Sequence, residues 1–509
     1  MLGRGRGRDT RLHGRRHRSA DHVRRGRCAR SPGSRARDVA VTDPRPSLPD
    51  GFVVRLHDRV EVGEFLVSGT QVVRISGLAR DLLAGREIEV TSPLTARLAA
   101  RLLDLDLADP VPGDDSSGSG AAEEGLAAVT VVVPVRDNHS GVDRLLRRLA
   151  GDVRCVVVDD ASRDSAALSA VVTRHGAHLL RLDHNVGPAV ARNVGRRQVR
   201  TPLVAFVDSD VDIAPADLQA LVRHTADPGL AVVAPRVRSA GGRGRLGRYE
   251  ASSGSLDLGS AAATVRPWSA VAYVPSACFV ARVDALSDGF DPLLRAGEDV
   301  DLVWRLIGQG HRIRYAAEVE VRHDARTSLR AWVRRKAFYG TSAAQLAARH
   351  GDRVAPAVMS PVAAVAIAGV LWQRPWSLAV ATACAGWTAR DAFTSVPDLP
   401  VRQRRHLVTA TAAALLRQTS GLALKHWSPV ALLLCLGSAR ARRVVAALTV
   451  VDGLLAHRSA RPDLGPVTFT ALRRADDLAY GAGVWWGAMR AGSARCLVPR
   501  WLPTGGARR

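Results

Sequence analysis

Three apolar runs in the middle of the chain, each ending in acidic residues, constrain its fold most strongly. In order, they are Val129–Val135 before Arg136-Asp137, Cys155–Val158 before Asp159-Asp160, and Leu203–Val207 before Asp208-Ser209-Asp210. Continuous apolar runs that alternate with helical patterns are typical of strands buried on both faces of a largely parallel sheet. Because ligands bind beyond the carboxyl ends of such strands, the acidic ends predict a binding site at one edge of an α/β domain.

The net charge of +24 is weaker evidence for a nucleic-acid partner than its size suggests. The chain has 509 residues, enough for two or three domains, and only Lys336 and Lys425 among its 72 basic residues are lysines. Residues 1–45 hold 14 arginines and four aspartates. Since neither apolar periodicity nor interleaved aromatics accompany this charge, we expect a disordered arm over 1–46 and no nucleic-acid partner. The alternative is an arm that tethers the protein to nucleic acid or an anionic membrane.

The six cysteines form no recognisable metal or disulfide pattern. None belongs to a C-x-x-C pair, so the sequence carries no zinc signature. No apolar segment of the signal-peptide type is present near residue 1. We therefore expect a cytoplasmic protein, with the inner face of the cell membrane as a further location.

A small α+β domain is predicted over residues 47–111, before the α/β domain. Short apolar alternations indicate strands, and Ser76 and either Thr91 or Ser92 are candidate N-caps of two short helices. We interpret this pattern as a winged-helix-like domain. Residues 112–127, rich in Gly, Ser and Asp, form the predicted linker to the α/β domain at 128–345.

The chain after residue 345 is apolar and interrupted by arginine clusters. Ala355–Gln373 carries no charge, but a membrane span needs about 20 strongly apolar residues, so this run is borderline. We predict an α-helical region over 346–509 that associates with an anionic membrane surface through its arginines. A hairpin across the membrane and a buried helical domain are the alternatives.

Asp208 and Asp210 form a D-x-D pair directly after a buried strand. Carboxylate oxygens suit a hard divalent cation, Mg2+ or Mn2+, that shares its shell with the phosphates of a nucleotide donor. His323, which follows a later apolar strand, is a candidate further ligand. The alternatives are a solvated turn and a structural histidine.

Three other motifs each have a binding and a structural interpretation. Asp160 can accept from a base or ribose, or cap the next helix. Arg192, in a helix that starts after Gly187, can contact phosphate, or belong to an ordinary capped helix. Glu298 and Asp299 begin a helix whose dipole favours carboxylates, and either role is open: dipole stabilisation or a general base for an acceptor hydroxyl.

Together and in this order, the motifs resemble the family 2 inverting glycosyltransferases of GT-A fold, whose catalytic domain is a Rossmann-like, mostly parallel α/β sheet. The resemblance implies a nucleotide-sugar donor. It implies that Asp137 and Asp160 contact the nucleotide, with Asp160 reading uracil. It also implies that Arg192 holds the base or the diphosphate.

The same resemblance assigns the metal site and the chemistry. Asp208 contacts the ribose or the metal, and Asp210 ligates the metal. Asp299 is the catalytic base, and Glu298 supports it. His323 contacts the metal or the diphosphate.

A closer resemblance is to the glycosyltransferase family of the mycofactocin system. It rests on the stretches Leu48–Leu56, Arg248–Gly259, Tyr273–Ala277 and Tyr339–Ala344. This family implies UDP-glucose as donor, a β-1,4-linked glucose chain as product, and a peptide-derived redox cofactor precursor as acceptor. The N-terminal domain then is similar to the peptide chaperone of the pyrroloquinoline quinone pathway, which binds peptide by strand addition.

Two other functions stay open at this point. One is a family 2 enzyme that acts on a lipid or a cell-wall polysaccharide. The Gln-x-x-Arg-Trp motif of processive membrane synthases is missing at residues 332–342, which argues against extrusion of a polymer. The other is a non-catalytic peptide-binding scaffold on the same fold, since a fold does not fix a function.

Overall fold

The computed structural model describes residues 45–111, 125–149, 151–242, 244–324 and 328–502. Most of the predicted arm at 1–46 and of the predicted linker at 112–127 therefore lies outside the described residues.

The N-terminal domain contains two small antiparallel sheets and two helices, which confirms its predicted α+β composition. Its elements are β1 (Val53–Leu56), β2 (Glu61–Val62), β3 (Phe65–Ser68), β4 (Gln71–Arg74), α1 (Gly77–Leu82), β5 (Glu87–Glu89), α2 (Pro93–Asp104) and β6 (Ala108–Val111). The sheets have the orders β5-β1-β6 and β2-β3-β4. The side chains of Ser76 and Ser92 accept from the N–H groups of Ala79 and Thr95, so both serines are N-caps as predicted.

The α/β domain is built on a nine-stranded sheet covered by helices. Its strands are β7 (Val129–Val135), β8 (Arg154–Asp159), β9 (His178–Arg181), β10 (Leu203–Val207), β11 (Val211–Asp212), β12 (Leu230–Ser239), β13 (Ala263–Thr264), β14 (Cys278–Arg282) and β15 (Arg312–His323). Its helices are α3 (His139–Leu149), α4 (Ser165–Arg174), α5 (Pro188–Arg196), α6 (Pro215–Arg223), α7 (Arg245–Ser253) and α8 (Glu298–Gly308).

The sheet is parallel in one half and mixed in the other. Its order is β11-β15-β12-β14-β10-β7-β8-β9, with β13 paired to β15. Strands β10, β7, β8 and β9 are parallel, as the apolar runs predict, and β12 is parallel to β15. Between these two groups, β14 runs antiparallel to both β10 and β12. The Rossmann-like α/β class is confirmed, and the antiparallel insertion is a feature that the apolar pattern does not reveal.

Both faces of the sheet are buried, which explains the continuous apolar runs. Along β7, Val131 and Val133 pack into one hydrophobic cluster with α3 and α4, whereas Val132 packs into a second cluster on the opposite face. Successive strand residues point to opposite faces, so a strand covered on both sides must be apolar at every position.

Arginine–aspartate pairs join the N-terminal domain to the α/β sheet. Arg312, at the start of β15 and 5% exposed, donates to Asp104 at the end of α2 (3.3 Å) and through two bonds of 2.6 Å to Asp227. Arg314 pairs with Asp109 in β6. These contacts fix the N-terminal domain to the edge of the sheet that carries β13.

The C-terminal region is helical, as predicted, and its helices begin at Leu329, within the range 128–345 that the sequence assigns to the α/β domain. It contains α9 (Leu329–Thr341), α10 (Ala343–His350), β16 (Val358–Met359), α11 (Pro361–Trp372), α12 (Pro375–Thr394), α13 (Val401–Gly421), a π-helical turn (Leu422–His426), α14 (Ser428–Gly437), α15 (Ala439–Ala460), α16 (Pro466–Ala491) and β17 (Arg500–Trp501). The uncharged run at 355–373 divides between β16 and the 12-residue helix α11. No helix within the described ranges combines the length and the apolar character that crossing a membrane requires.

Helices α9 and α16 pack through glycines without side chains between them. A Cβ at Gly340 would overlap the carbonyl oxygen of Tyr480, and a Cβ at Gly483 would overlap the carbonyl oxygen of Ala337. Gly487 meets Thr341 in the same way. This close approach fixes the long helix α16 against the α9 segment, which directly follows the α/β domain.

Gly483→Ala is expected to lower the melting temperature, because the added methyl group must push α9 and α16 apart. Overpacking of this kind costs about 2 kcal/mol in the free energy of unfolding. Gly386→Ala in α12 is the matched control: no heavy atom lies within 4 Å of its Cβ position, and alanine favours a helix by about 1 kcal/mol over glycine. Thermal unfolding of both variants checks this, and equal melting temperatures would contradict the packing argument.

Candidate functional site

Arg192 brings together the acidic residues that the sequence predicts from separate motifs. Its Nη2 donates to Asp208 Oδ1 at 2.6 Å, and its Nη1 donates to Glu298 Oε1 at 3.2 Å. The guanidinium is 3% exposed, and its Cζ lies 5.4 Å from the centre of the Phe290 ring. The carboxyl end of β10 and the start of α8 therefore meet at one buried cation.

A carboxylate at the end of β8 positions the helix that carries Arg192. Asp160 is buried, and its two oxygens accept from the N–H groups of Val186 (2.7 Å) and Gly187 (3.0 Å). Gly187 has a φ of +91°, a conformation that glycine adopts readily, and α5 begins at the next residue, Pro188. The structure thus gives Asp160 a role in loop geometry, and its contact with uracil stays a prediction.

The start of α8 is placed by an unusual N-cap. Gly297 has a φ of +77°, and Glu298 and Asp299 follow it in the first turn. Asp299 Oδ1 accepts from the N–H of Val300 at 2.8 Å, and its Oδ2 accepts from the N–H of Ser276 at 3.4 Å. The carboxylate of Asp299 is therefore held between α8 and the loop that precedes β14.

The surroundings of these carboxyl groups make them hold protons more tightly than usual. Burial raises the pKa of Glu298 to about 7, the charge of Asp299 acts in the same direction, and Arg192 opposes both. Burial also raises the pKa of Asp299 and of Asp208, again against the opposing charge of Arg192. A carboxyl group whose pKa lies nearer to neutral is better suited to take a proton from a hydroxyl group.

The D-x-D pair and His323 lie at the same edge of the sheet. Strand β11 pairs with β15 so that Val211 is directly opposite His323, and Val211 follows Asp210 in the chain. The carbonyl oxygen of Asp210 accepts from the N–H of Asp324 at 3.0 Å. Within the described part of the chain, no three His, Cys, Asp or Glu side chains are grouped closely enough to hold a metal ion by themselves.

Asp137 lies beside the same edge, at the end of β7. It is exposed, has a φ of +56°, and its Oδ1 accepts from the N–H of Arg163 at 2.8 Å. Its own N–H donates to the hydroxyl of Ser162 at 3.0 Å. These bonds join the loops after β7 and β8.

Sequence reasoning missed the residues that support the site. Asn138 donates to the hydroxyl of Ser209 inside the D-x-D segment at 3.0 Å. Asn193 exchanges two hydrogen bonds with the backbone of Phe290, at 2.7 and 2.9 Å. Asn138 follows Asp137 and Asn193 follows Arg192 in the sequence. A polar residue directly beside a motif residue is therefore the sequence feature that could have indicated their supporting role. No feature of the sequence indicates that the backbone N–H of Ser276 donates to Asp299.

A cavity of about 400 Å3 lies elsewhere, at the start of β8, and is lined by Leu146, Val153, Cys155 and His175 among others. None of the predicted site residues lines it. The convergence of charged groups around Arg192, rather than this cavity, therefore locates the candidate active site.

Comparison with known proteins gives matches of very different extent. The family described as Glycosyl transferase family 2 matches residues 130–290. The pre-mycofactocin glycosyltransferase of Mycobacterium tuberculosis is 43% identical over 476 residues, which cover 89% of this chain and 98% of that protein. The undecaprenyl-phosphate 4-deoxy-4-formamido-L-arabinose transferase of Pseudomonas aeruginosa is 34% identical over 109 residues, 19% of this chain and 32% of that enzyme.

A solved structure also shows some likeness. The mannosyltransferase of Pyrobaculum calidifontis in complex with GDP-Man and Mn2+ is 19% identical, with 57% of this chain and 87% of that chain covered. Its TM-score of 0.35 is too low to support a conclusion. The extent of the match to the Mycobacterium tuberculosis protein does support one: this chain belongs to the pre-mycofactocin glycosyltransferase family, within glycosyl transferase family 2.

Proposed function

We propose that this protein transfers glucose from UDP-glucose, with inversion, to a peptide-derived redox cofactor precursor and extends the product as a β-1,4-glucan chain. The observation that carries the proposal is that Arg192 joins Asp208, at the carboxyl end of β10, to Glu298, the residue before Asp299. The name of the relative that matches along most of the chain supports the acceptor class. The same match favours a transferase over a non-catalytic scaffold.

The residues of the site suit a single displacement. Asp299 takes the proton of an acceptor hydroxyl, whose oxygen attacks the anomeric carbon as the bond to the nucleoside diphosphate breaks. One displacement inverts the configuration and leaves no sugar on the protein. Glu298, bonded to Arg192, keeps the start of α8 in position, while the raised pKa of Asp299 strengthens it as a proton acceptor.

Asp208, Asp210 and His323 are the residues proposed to hold Mg2+ or Mn2+. Carboxylate oxygens and an imidazole nitrogen fit such a cation, and the pairing of β11 with β15 brings His323 beside the D-x-D segment. Among the described residues these side chains are not grouped closely enough to hold a cation by themselves, so donor phosphate oxygens would complete its shell. A cation bound there would neutralise charge on the departing diphosphate.

The donor and the acceptor can be tested together. The protein is incubated with a panel of UDP-sugars and the mycofactocin precursor, and products are read by mass. We expect hexose additions with UDP-glucose. Asp299→Asn should lower transfer by about a thousandfold or more because general base catalysis is lost, while UDP binding stays at the wild-type level. Retained turnover would rule out Asp299 as the base, and transfer to lipid or polysaccharide acceptors alone would favour the alternative enzyme.

We also propose that the N-terminal domain binds the peptide part of the acceptor by strand addition at β4, which is an edge strand among the described residues. The N–H of Ile75 donates to the carbonyl of Glu64, towards β3. Since N–H groups alternate in direction along a strand, the N–H of Arg74 points away from β3 and towards the free edge.

Arg74→Pro is expected to weaken binding of the precursor peptide by about tenfold, because proline removes that N–H group while edge strands tolerate it. Arg74→Ala keeps the N–H group and removes the same side chain, so it should bind like the wild type. Titration calorimetry with the precursor peptide compares the two variants. Equal affinities of Arg74→Pro and Arg74→Ala would show that β4 is not the binding edge.

A third proposal concerns an anionic membrane surface. Trp372 and Trp376, at the corner between α11 and α12, are 58% and 63% exposed, and Leu436 at the end of α14 is 81% exposed. Gln373, in this corner, donates to the carbonyl of Arg440 at 2.9 Å, which places the arginine-rich start of α15 beside it. Exposed aromatic and aliphatic groups next to arginines suit the boundary of an anionic bilayer.

Vesicles test this corner directly. We expect binding to phosphatidylglycerol vesicles that weakens with salt, and weak binding to phosphatidylcholine vesicles. Trp376→Ser should reduce binding severalfold, whereas Val467→Ser, which removes an 82% exposed apolar side chain at the start of α16, should not. Co-sedimentation measures both, and equal losses in the two variants would place the contact elsewhere.

A further inference from the structure

Three of the five tyrosines of the chain belong to segments that pack near the start of α8, where the proposed base lies. Tyr273 precedes Ser276, whose N–H donates to Asp299, by three residues. Burial raises the pKa of Tyr273, and the charges of Asp299, Tyr480 and Tyr339 act in the same direction. Burial also raises the pKa of Tyr480 to about 12. At neutral pH these two phenols therefore keep their protons and can donate hydrogen bonds.

Close packing independently places the C-terminal helices at the start of α8. A Cβ at Gly297, the residue before Glu298, would lie 3.0 Å from Cβ of Ser342 and 2.9 Å from Cδ1 of Leu346. Ser342 joins α9 to α10. Tyr339 is in the last turn of α9, so its backbone is held near the proposed base.

The same packing fixes Tyr480. Gly340, next to Tyr339, leaves no room for a Cβ against the carbonyl oxygen of Tyr480. Nζ of Lys425 lies 4.2 Å from the centre of the Tyr480 ring, and the ring centre of His426 lies 5.8 Å from it. Lys425 and His426 belong to the π-helical turn, a geometry that is frequent at functional sites.

All three tyrosines remain partly accessible. Each is half-buried. A phenol combines an apolar ring with a polar tip. A pyranose sugar presents the matching chemistry, because apolar C–H faces alternate with hydroxyl groups around its ring.

We propose that Tyr273, Tyr339 and Tyr480 line an acceptor subsite for a pyranose ring next to Asp299, so that the C-terminal helices complete the active site. This inference rests on the proposed glycosyl transfer at Asp299. It names the acceptor class as a glycoside, the chain end that each extension step must use. The first transfer, onto the unglycosylated precursor, does not need the subsite.

Binding and turnover are measured separately, with p-nitrophenyl β-cellobioside as the probe. Titration in the presence of UDP gives the Kd of the glycoside, and UDP release from UDP-glucose gives its KM. Tyr339→Phe and Tyr480→Phe should each raise both values by about fivefold, the effect of one lost hydrogen bond, with the KM for UDP-glucose unchanged. A role limited to packing would not separate the acceptor from the donor in this way.

Tyr315→Phe is the matched control, since its hydroxyl donates to the carbonyl of Gly259 at 2.6 Å, within the β15 side of the core. It should leave the Kd of the glycoside unchanged. Unchanged glycoside Kd in both Tyr339→Phe and Tyr480→Phe would overturn the subsite. Glycoside binding that depends on both tyrosines, without any sugar transfer by the wild type, would support the subsite and overturn the proposed function instead.

Discussion

The buried ion pairs of Arg192 are the interaction on which the rest of the site depends. Removing one partner from a buried ion pair costs about 3–5 kcal/mol, because the remaining charge stays without compensation. Arg192 joins the end of β10, through Asp208, to the start of α8, through Glu298. Its contact with the face of Phe290, which Asn193 also anchors, fixes the guanidinium from a third side. The charge of Arg192 therefore lowers the free-energy cost of burying Asp208, Glu298 and Asp299 together. Through Glu298, the same charge sets the position of Asp299.

The strands of the α/β domain could be predicted because burial on both faces demands uninterrupted apolar runs. Val129–Val135 and Leu203–Val207 form strands with the predicted bounds. The direction of a strand, parallel or antiparallel, produces no such pattern in the sequence. Cys278–Arg282 is buried as completely as its parallel neighbours, yet it runs antiparallel between them. Direction depends on how the chain returns to the sheet, which involves loops whose sequences carry little periodic signal.

The site was predictable as a set of residues but not as a set of bonds. Strand ends locate Asp160 and Asp208, and a first helical turn locates Asp299. Glu298, which pairs with Arg192, is 106 residues away in sequence. The donor at Ser276 is a backbone N–H group, so the residue type gives no indication of this bond. Asp160 shows the consequence: its residue type suits a nucleotide contact, but its oxygens are used by two backbone N–H groups.

The two lysines show how the C-terminal helices are integrated with the catalytic domain. In a chain whose other basic residues are arginines, Lys336 and Lys425 both lie at the packed face of α16. Lys336 donates to Ser255 of the α/β domain (2.5 Å) and to Asp476 of α16 (2.7 Å), and burial lowers the pKa of Lys425 over the Tyr480 ring. An ammonium group is a compact point charge, whereas a guanidinium needs a planar space with several acceptors. The lysines lie beside the glycine contacts: a Cβ at Gly481 would overlap the carbonyl oxygen of Lys425, and a Cβ at Gly483 would overlap that of Ala337, next to Lys336.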